Sequence, residues 1–347
     1  MAILPDPQRL GSALFERETG ITVSTTWLTP HPEIKVFDCT IRDGGLVNDH
    51  LFGDRFVRAV YDCCVAAHLD YMEIGYKNSP DIFSPAKNGP WKFCREEDVR
   101  RVIGENPTSL KISCMADAGK SNWKRDILPK KDSVIDVIRV AFYHYQLEEA
   151  LDMIRDAHEK GYEVWGNLMA VTDTAEKDID RCLIGLAESP VNTIAVVDSY
   201  GTLLPEWAGY LTTKYVAAAD PAGKTVGIHA HNNQQLAFAN SIEAVRFGAM
   251  NVDASIGGLG RGAGNCPMEL LLGFLKNPKL DIRPVFECLE KHYHILQNQM
   301  EWGPYPEFII TGQANKHPRA AIAAREGENR GNYAEFYDSI FGDQSNG

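Results

Sequence analysis

Apolar and polar positions along the chain fall into two alternating textures. Short apolar runs rich in β-branched and aromatic residues recur at intervals of roughly 20 to 40 residues, and between them lie stretches whose apolar residues repeat at helical spacing. The runs cover residues 34–40 (IKVFDCT), 71–76 (YMEIGY), 109–116 (SLKISCMA), 134–142 (VIDVIRVAF), 162–170 (YEVWGNLMA), 193–200 (TIAVVDSY), 225–232 (TVGIHAHN) and 251–258 (NVDASIGG). The intervening stretches include GDRFVRAVYDCCVAAHL, QLEEALDMIRDAHEKG and QLAFANSIEAVRFG, the last two closing on a glycine where a helix can stop. Strands alternating with helices predict a parallel sheet with crossover helices, and eight repeats are the number that closes a (β/α)8 TIM barrel. A doubly wound open sheet is the rival, and no GxGxxG after the first run supports it. The division expected is an N-terminal extension over residues 1–30, an α/β barrel over 31–281 and a small C-terminal helical region over 282–347, with the tail DQSNG frayed.

Composition narrows the setting more than the chemistry. With 347 residues, 44% hydrophobic and 24% charged, the chain reads as folded, and a net charge of −12 repels phosphate backbones. Nucleic acid is therefore not an expected partner, and an anionic substrate needs a local cation to capture it. The eight cysteines show neither CxxC pairs nor zinc-finger spacing and are expected to be reduced and packed, Cys266 included. Neither a signal-peptide pattern nor an apolar run of membrane-spanning length is present, so a cytoplasmic protein off the membrane is expected.

Catalytic groups of such a barrel gather at the C-terminal ends of its strands, so the polar residues closing each run carry the chemistry. They are Arg42-Asp43-Gly44, Glu73 with Lys77-Asn78, Tyr143-His144, Asp198-Ser199-Tyr200 and His229-Ala230-His231-Asn232, followed by the loop GGLGRGAGNCP. Two side chains two apart on a strand share a face, so His229 and His231 can bind one ion. Alone, such a pair is as readily two satisfied core histidines. Asp43 at another strand end completes a two-histidine, one-carboxylate set with open positions, although an Asp before Gly44-Gly45 also suits a turn. Glu73 fits either substrate support or a structural ion pair, and Ser199 either substrate contact or a turn. The loop 78–91 is long enough for a lid, and His292 and His294 face apart on a helix.

The segments DCTIRDGG (38–45), HAHN (229–232) and GLGRGAGNCPMELLL (258–272) resemble the DRE-TIM metallolyases, a superfamily of 4-hydroxy-2-oxovalerate aldolases, 3-hydroxy-3-methylglutaryl-CoA lyases and isopropylmalate and homocitrate synthases. The resemblance spans about residues 34–275. It implies a divalent ion, Mn2+ or Mg2+ with Co2+ or Zn2+ as alternatives, on Asp43, His229 and His231, with Asn265 ligating it or beside it and in contact with substrate. It also implies that Arg42 binds substrate and stabilises an enolate oxygen while the ion acts as Lewis acid on a pyruvate-like 2-oxo acid. The GxGxGAGN pattern is that of the aldolases, whereas the Claisen-type synthases carry GERxGN and a further regulatory domain.

One departure matters. The aldolases place a general-base histidine two residues after RDG, and Leu46 stands there instead. Retro-aldol cleavage needs a group to take the alcohol proton, and His50, His144 and Tyr305 are the candidates, Tyr305 by a loose match to an active-site tyrosine in the C-terminal helices. The alternatives are a Claisen-type acyl-CoA synthase and a catalytically silent metabolite-binding barrel. The family resemblance further implies a homodimer and leaves open an acylating dehydrogenase partner.

Overall fold

In the computed structural model, which describes residues 31–342, the eight apolar runs form eight parallel strands. They are β1 (Lys35–Asp38), β2 (Tyr71–Tyr76), β3 (Lys111–Asp117), β4 (Val137–Phe142), β5 (Glu163–Leu168), β6 (Thr193–Asp198), β7 (Thr225–Ala230) and β8 (Asn251–Ala254). They pair in sequence order and β8 returns to β1, closing the barrel. The open sheet is excluded, since neither end strand is left as an edge. Residues 1–30 and the tail DQSNG lie outside the described residues.

The helices are α1 (Thr40–Gly44), α2 (Asp54–Ala66), α3 (Glu96–Ile103), α4 (Leu147–Glu159), α5 (Glu176–Glu188), α6 (Pro205–Ala219), α7 (Ala237–Arg246) and α8 (Met268–Leu275). The short α1 is buried throughout, and the longer helices pack one stripe on the barrel. In α2, for instance, Val57, Val60, Tyr61, Cys63 and Cys64 are buried while Asp54, Arg55, Arg58 and Asp62 face water. The crossover from β3 to β4 departs from the alternation, with only the single turn Trp123–Asp126 and a 3₁₀ turn at Lys130–Asp132. The segment KRDILPKKD has too few apolar positions for a buried stripe, and Pro129 stops a longer helix. All eight cysteines are free and buried.

After α8 the chain is helical: α9 (Arg283–Cys288), a π-helical turn at Leu289–Tyr293, α10 (His294–Gln297), α11 (Pro306–Gln313), α12 (Arg319–Glu326) and α13 (Tyr333–Phe341). Helix α11 docks on the loops after β6 and β7, where the Thr202 hydroxyl donates to the Gly312 carbonyl and the Asn233 amide to that of Phe308. Among the described residues no helix is long and apolar enough to cross a membrane.

The barrel interior is layered. Phe37, Tyr71 and Trp165 pack together with Val137 and Cys39, the Phe37 ring 4.8 Å from Tyr71 and 4.9 Å from Trp165. On this apolar plug rests the guanidinium of Arg139, 4.4 Å from the Phe37 ring and 5.0 Å from Trp165. Beyond that cation, toward the strands' C-terminal ends, the interior becomes polar.

Candidate metal centre

Arg139 is fully buried and is balanced by two carboxylates, Nη2 donating to Asp253 Oδ2 at 2.6 Å and Nη1 to Glu73 Oε2 at 3.2 Å. The same Glu73 oxygen accepts from Arg42 Nε at 2.6 Å, and Arg42 Nη1 donates to Asp43 Oδ1 at 2.6 Å. One chain of alternating charge thus runs from β4 through β2 to α1, so that each buried ion has a counter-ion. Burial works against the ionised form of Asp43, yet the adjacent Arg42 guanidinium outweighs it and holds the carboxyl well below its usual range. Arg42 and Asp43 sit on the helical turn α1, not on a strand end, and this turn swings both side chains into the mouth.

The two histidines are fixed from behind. His231 Nδ1 lies 2.9 Å from the Asp198 carbonyl, which only accepts, so Nδ1 carries the proton and Nε2 presents a lone pair. His229 Nδ1 lies 2.9 Å from Asp253 Oδ2. Burial resists ionisation of Asp253, but Arg139 and His229 overcome it and bring its pKa to about 2, so here too Nδ1 is the donor. Burial lowers the His229 pKa to about 4, against the pull of Asp253, and the imidazole is neutral. Both Nε2 atoms are buried without a hydrogen-bond partner, and with a carboxylate oxygen of Asp43 they form a set whose donor atoms lie within 4.8 Å of one another. His231 Nε2 is 3.5 Å from Asp43 Oδ2. Two oriented imidazoles and one ionised carboxylate around a shared point fit a divalent ion.

A second grouping, Cys39 with His229 and Asp253, does not fit. The Arg139 guanidinium already reaches both Asp253 and the Cys39 sulfur, and burial with those carboxylates pushes the Cys39 thiol pKa well up.

Asn265 bridges by its backbone to His231 and keeps Oδ1 buried and unpartnered, while its amide nitrogen donates to the Leu259 carbonyl. Its loop comes this near only because residue 260 is glycine: a Cβ there would lie 2.6 Å from Asp43 Oδ2 and 2.5 Å from the Asn265 amide. From the same loop the Arg261 backbone N–H donates to Asp43 Oδ2 at 3.2 Å.

The remaining expected residues divide. Glu73 is the shared counter-ion of Arg42 and Arg139. Ser199 Oγ accepts from the Ala170 N–H, and its carbonyl accepts from Arg261 Nη2. His50 is buried with both ring nitrogens unpartnered, its ring edge-on to Tyr76, whose ring the Arg42 guanidinium also approaches. His144 and Tyr305 are not brought to this cluster. The turn after β4 sends His144 outward to Asp178 of α5, 3.9 Å away, and its carbonyl to Arg181. Tyr305 lies beneath the Arg325 guanidinium, 3.4 Å from its ring centroid, in an apolar cluster with Ala263, Phe308 and Ala321. Sequence reasoning missed Arg139, Asp253, Arg261 and also His317, whose Nε2 is 3.4 Å from Arg261. Only the fixed spacing of Asp253 along β8 hinted that its side chain points inward.

The family model described as HMGL-like matches residues 33–289. The chain is 27% identical over 245 residues to a 4-hydroxy-2-oxovalerate aldolase of Spirochaeta aurantia, covering 71% of this chain and 70% of that one. It is 32% identical over 250 residues to an oxaloacetate decarboxylase of Mycobacterium tuberculosis, covering 71% of each. In fold it is similar to the carboxyl transferase domain of Rhizobium etli pyruvate carboxylase, with a TM-score of 0.69 at 17% identity over 99% of this chain and 61% of that one.

Proposed function

Because the chain belongs to the HMGL-like family and is a carbon–carbon lyase by its relatives, we propose that it is a divalent-metal-dependent aldolase or lyase. It would break or form the bond between the carbon α to the keto group and that carbon's outer neighbour, so that the electron pair is held as the enolate of a small 2-oxo acid such as pyruvate. One observation carries this reading: the unpartnered Nε2 atoms of His229 and His231 and the Asp43 carboxylate are turned to a common point. A divalent ion held there, Mn2+ or Mg2+ foremost, supplies Lewis-acid polarisation of the substrate's keto and carboxylate oxygens.

Arg42 has the complementary task. Its Nε and Nη1 are tied to Glu73 and Asp43, which fixes the plane of the guanidinium, and Nη2 is buried without a partner. That free donor suits the oxygen that gains charge as the bond breaks, and it requires no reorganisation at that moment. Asn265 Oδ1 offers a further ligand or an acceptor for a substrate hydroxyl. The surrounding burial excludes water and strengthens each of these interactions.

The reading is tested by incubating the protein with pyruvate and Mn2+ or Mg2+ in D2O and following the methyl protons. Metal-dependent exchange that stops on chelation, and that is lost in both His229→Ala and His231→Ala, is the expected result. Absence of exchange with pyruvate and other short 2-oxo acids, with metal binding intact, overturns it.

A further inference from the structure

The Tyr76 ring is the meeting point of three nitrogen-bearing side chains beside the metal-binding triad. The Arg42 guanidinium lies 5.9 Å from its centroid, the His50 ring 5.3 Å and the Lys92 ammonium 4.9 Å. Tyr76 itself belongs to an apolar patch with Met115 of β3, Ala141 of β4, Leu46 and Met169, which lines the barrel mouth.

Lys92 is the anomaly. It is only 8% exposed, and its Nζ stands between the Tyr76 ring and the Phe83 ring, 4.3 Å from the latter. Its lysine neighbours are matched, Lys77 with Glu96 and Lys120 with Asp117. Among the described residues Lys92 has no such ion pair, and the aromatic faces contribute less than a carboxylate would. A buried ammonium without a counter-ion is costly, and burial accordingly lowers its pKa, with Asp117 partly opposing.

His50 repeats the anomaly one residue type over. It is 1% exposed, and neither ring nitrogen has a partner. The chain goes to some trouble to put it there. Asp49 and His50 both adopt left-handed backbone conformations, at φ 52° and 61°, and the ring lies so close over Gly45 that a Cβ at residue 45 would be 2.2 Å from Nδ1. Two consecutive residues in this sparsely populated region are a cost met at functional sites.

We propose that Lys92 and His50 form an anion-binding pair for the second carboxylate of a 2-oxo dicarboxylate. This rests on the proposed reading of the metal centre, which takes the 2-oxo acid end together with Arg42. The short carbon chain then crosses the apolar patch of Leu46, Met115, Ala141 and Met169, and the distal carboxylate accepts from the Lys92 ammonium and a His50 N–H. On a chain of net charge −12, this local cation is the capture device that a dianion needs.

The test uses the full chain loaded with Mn2+ and three probes read by calorimetry. Oxalate occupies only the 2-oxo acid end, while 2-oxopentanedioate and 2-oxopentanoate have the same carbon count and differ in a terminal carboxylate. Tighter binding of the dicarboxylate than of the monocarboxylate, by roughly tenfold or more, is expected, as for a charge-assisted pair in a dry setting. Lys92→Met abolishes this preference and leaves oxalate affinity within about twofold, Lys92→Arg restores part of it, and His50→Gln reduces it. If oxalate binds but the native protein does not distinguish the other two, the pair is not a carboxylate site and only this inference falls. Equal losses for oxalate and dicarboxylate in Lys92→Met also overturn it, since Lys92 then supports the mouth in general. Failure of oxalate to bind with metal present overturns the reading of the centre and this inference with it.

Discussion

Within the barrel, charge is arranged so that one side chain serves two others. Asp253 accepts from both His229 and Arg139, so it sets the tautomer that leaves His229 Nε2 free. Replacing Asp253 with Asn permits the ring to flip or Nε2 to carry the proton, and Mn2+ affinity measured by calorimetry is expected to fall roughly 10- to 100-fold, as for other residues that orient a metal-binding imidazole. An unchanged affinity would show that His229 needs no such orientation. Arg139 has no route to metal, yet removing it leaves Glu73 and Asp253 short of a cation in a dry interior. Arg139→Met is expected to destabilise the fold by about 3 kcal/mol in urea unfolding, and a change below about 1 kcal/mol would contradict the charge chain. Asp38 supplies the pH dependence: burial raises its pKa from 3.8 to about 7, despite hydrogen bonds from Thr40. The folded state then binds a proton that the unfolded state has released, so this group's contribution declines as pH rises from about 4 to about 7. Asp38→Asn is expected to flatten that slope in melting curves taken between pH 4.5 and 7.5, and parallel curves for the two proteins would refute the assignment.

At the scale of elements, what was legible in the sequence was what repeats. A strand buried on both faces must be apolar along its length, so all eight strands could be placed, and HxH could be read at the end of β7, where His231 continues the alternation just past the strand. The crossover after β3 was not legible as an exception, since alternation predicts a helix wherever two strands follow each other. His144 and Tyr305 show the limit more sharply. A polar residue at a strand end is known to be near the mouth, but the first turn beyond it decides direction, and the turn at His144–Gln146 points outward. Arg139 and Asp253 lie within strands, where one charged letter among apolar ones does not reveal its partner across the barrel. Lys92 lies in a 3₁₀ turn after β2 and gave no signal at all. The glycine loop carrying Asn265 is the element most exposed to a single change. In Gly260→Ala the new Cβ meets Asp43 Oδ2 at 2.6 Å, so the loop must withdraw. Metal affinity is expected to drop by about tenfold or more with the far-UV circular dichroism unchanged, and retention of full affinity would mean that the loop's close approach is not required.

The whole molecule couples these sites to its stability through the unpartnered Nε2 atoms at its mouth. A divalent ion on the two Nε2 atoms and the Asp43 carboxylate would add to the pairing that Asp43 already has with Arg42, and an ion that binds only the folded chain stabilises it by mass action. At a free concentration 100-fold above its dissociation constant the gain is about 2.7 kcal/mol. For a chain of 347 residues this corresponds to a rise in melting temperature of roughly 4 °C, because unfolding entropy grows with size and dilutes each kilocalorie. The shift is expected to grow logarithmically with Mn2+, to reverse on chelation and to vanish in the double variant His229→Ala, His231→Ala. General screening of the −12 charge also stabilises in the presence of any divalent salt, so the double variant provides the comparison that matters. A shift of the same size in native and doubly substituted protein would assign the effect to bulk charge, and the triad would then have no claim on the ion.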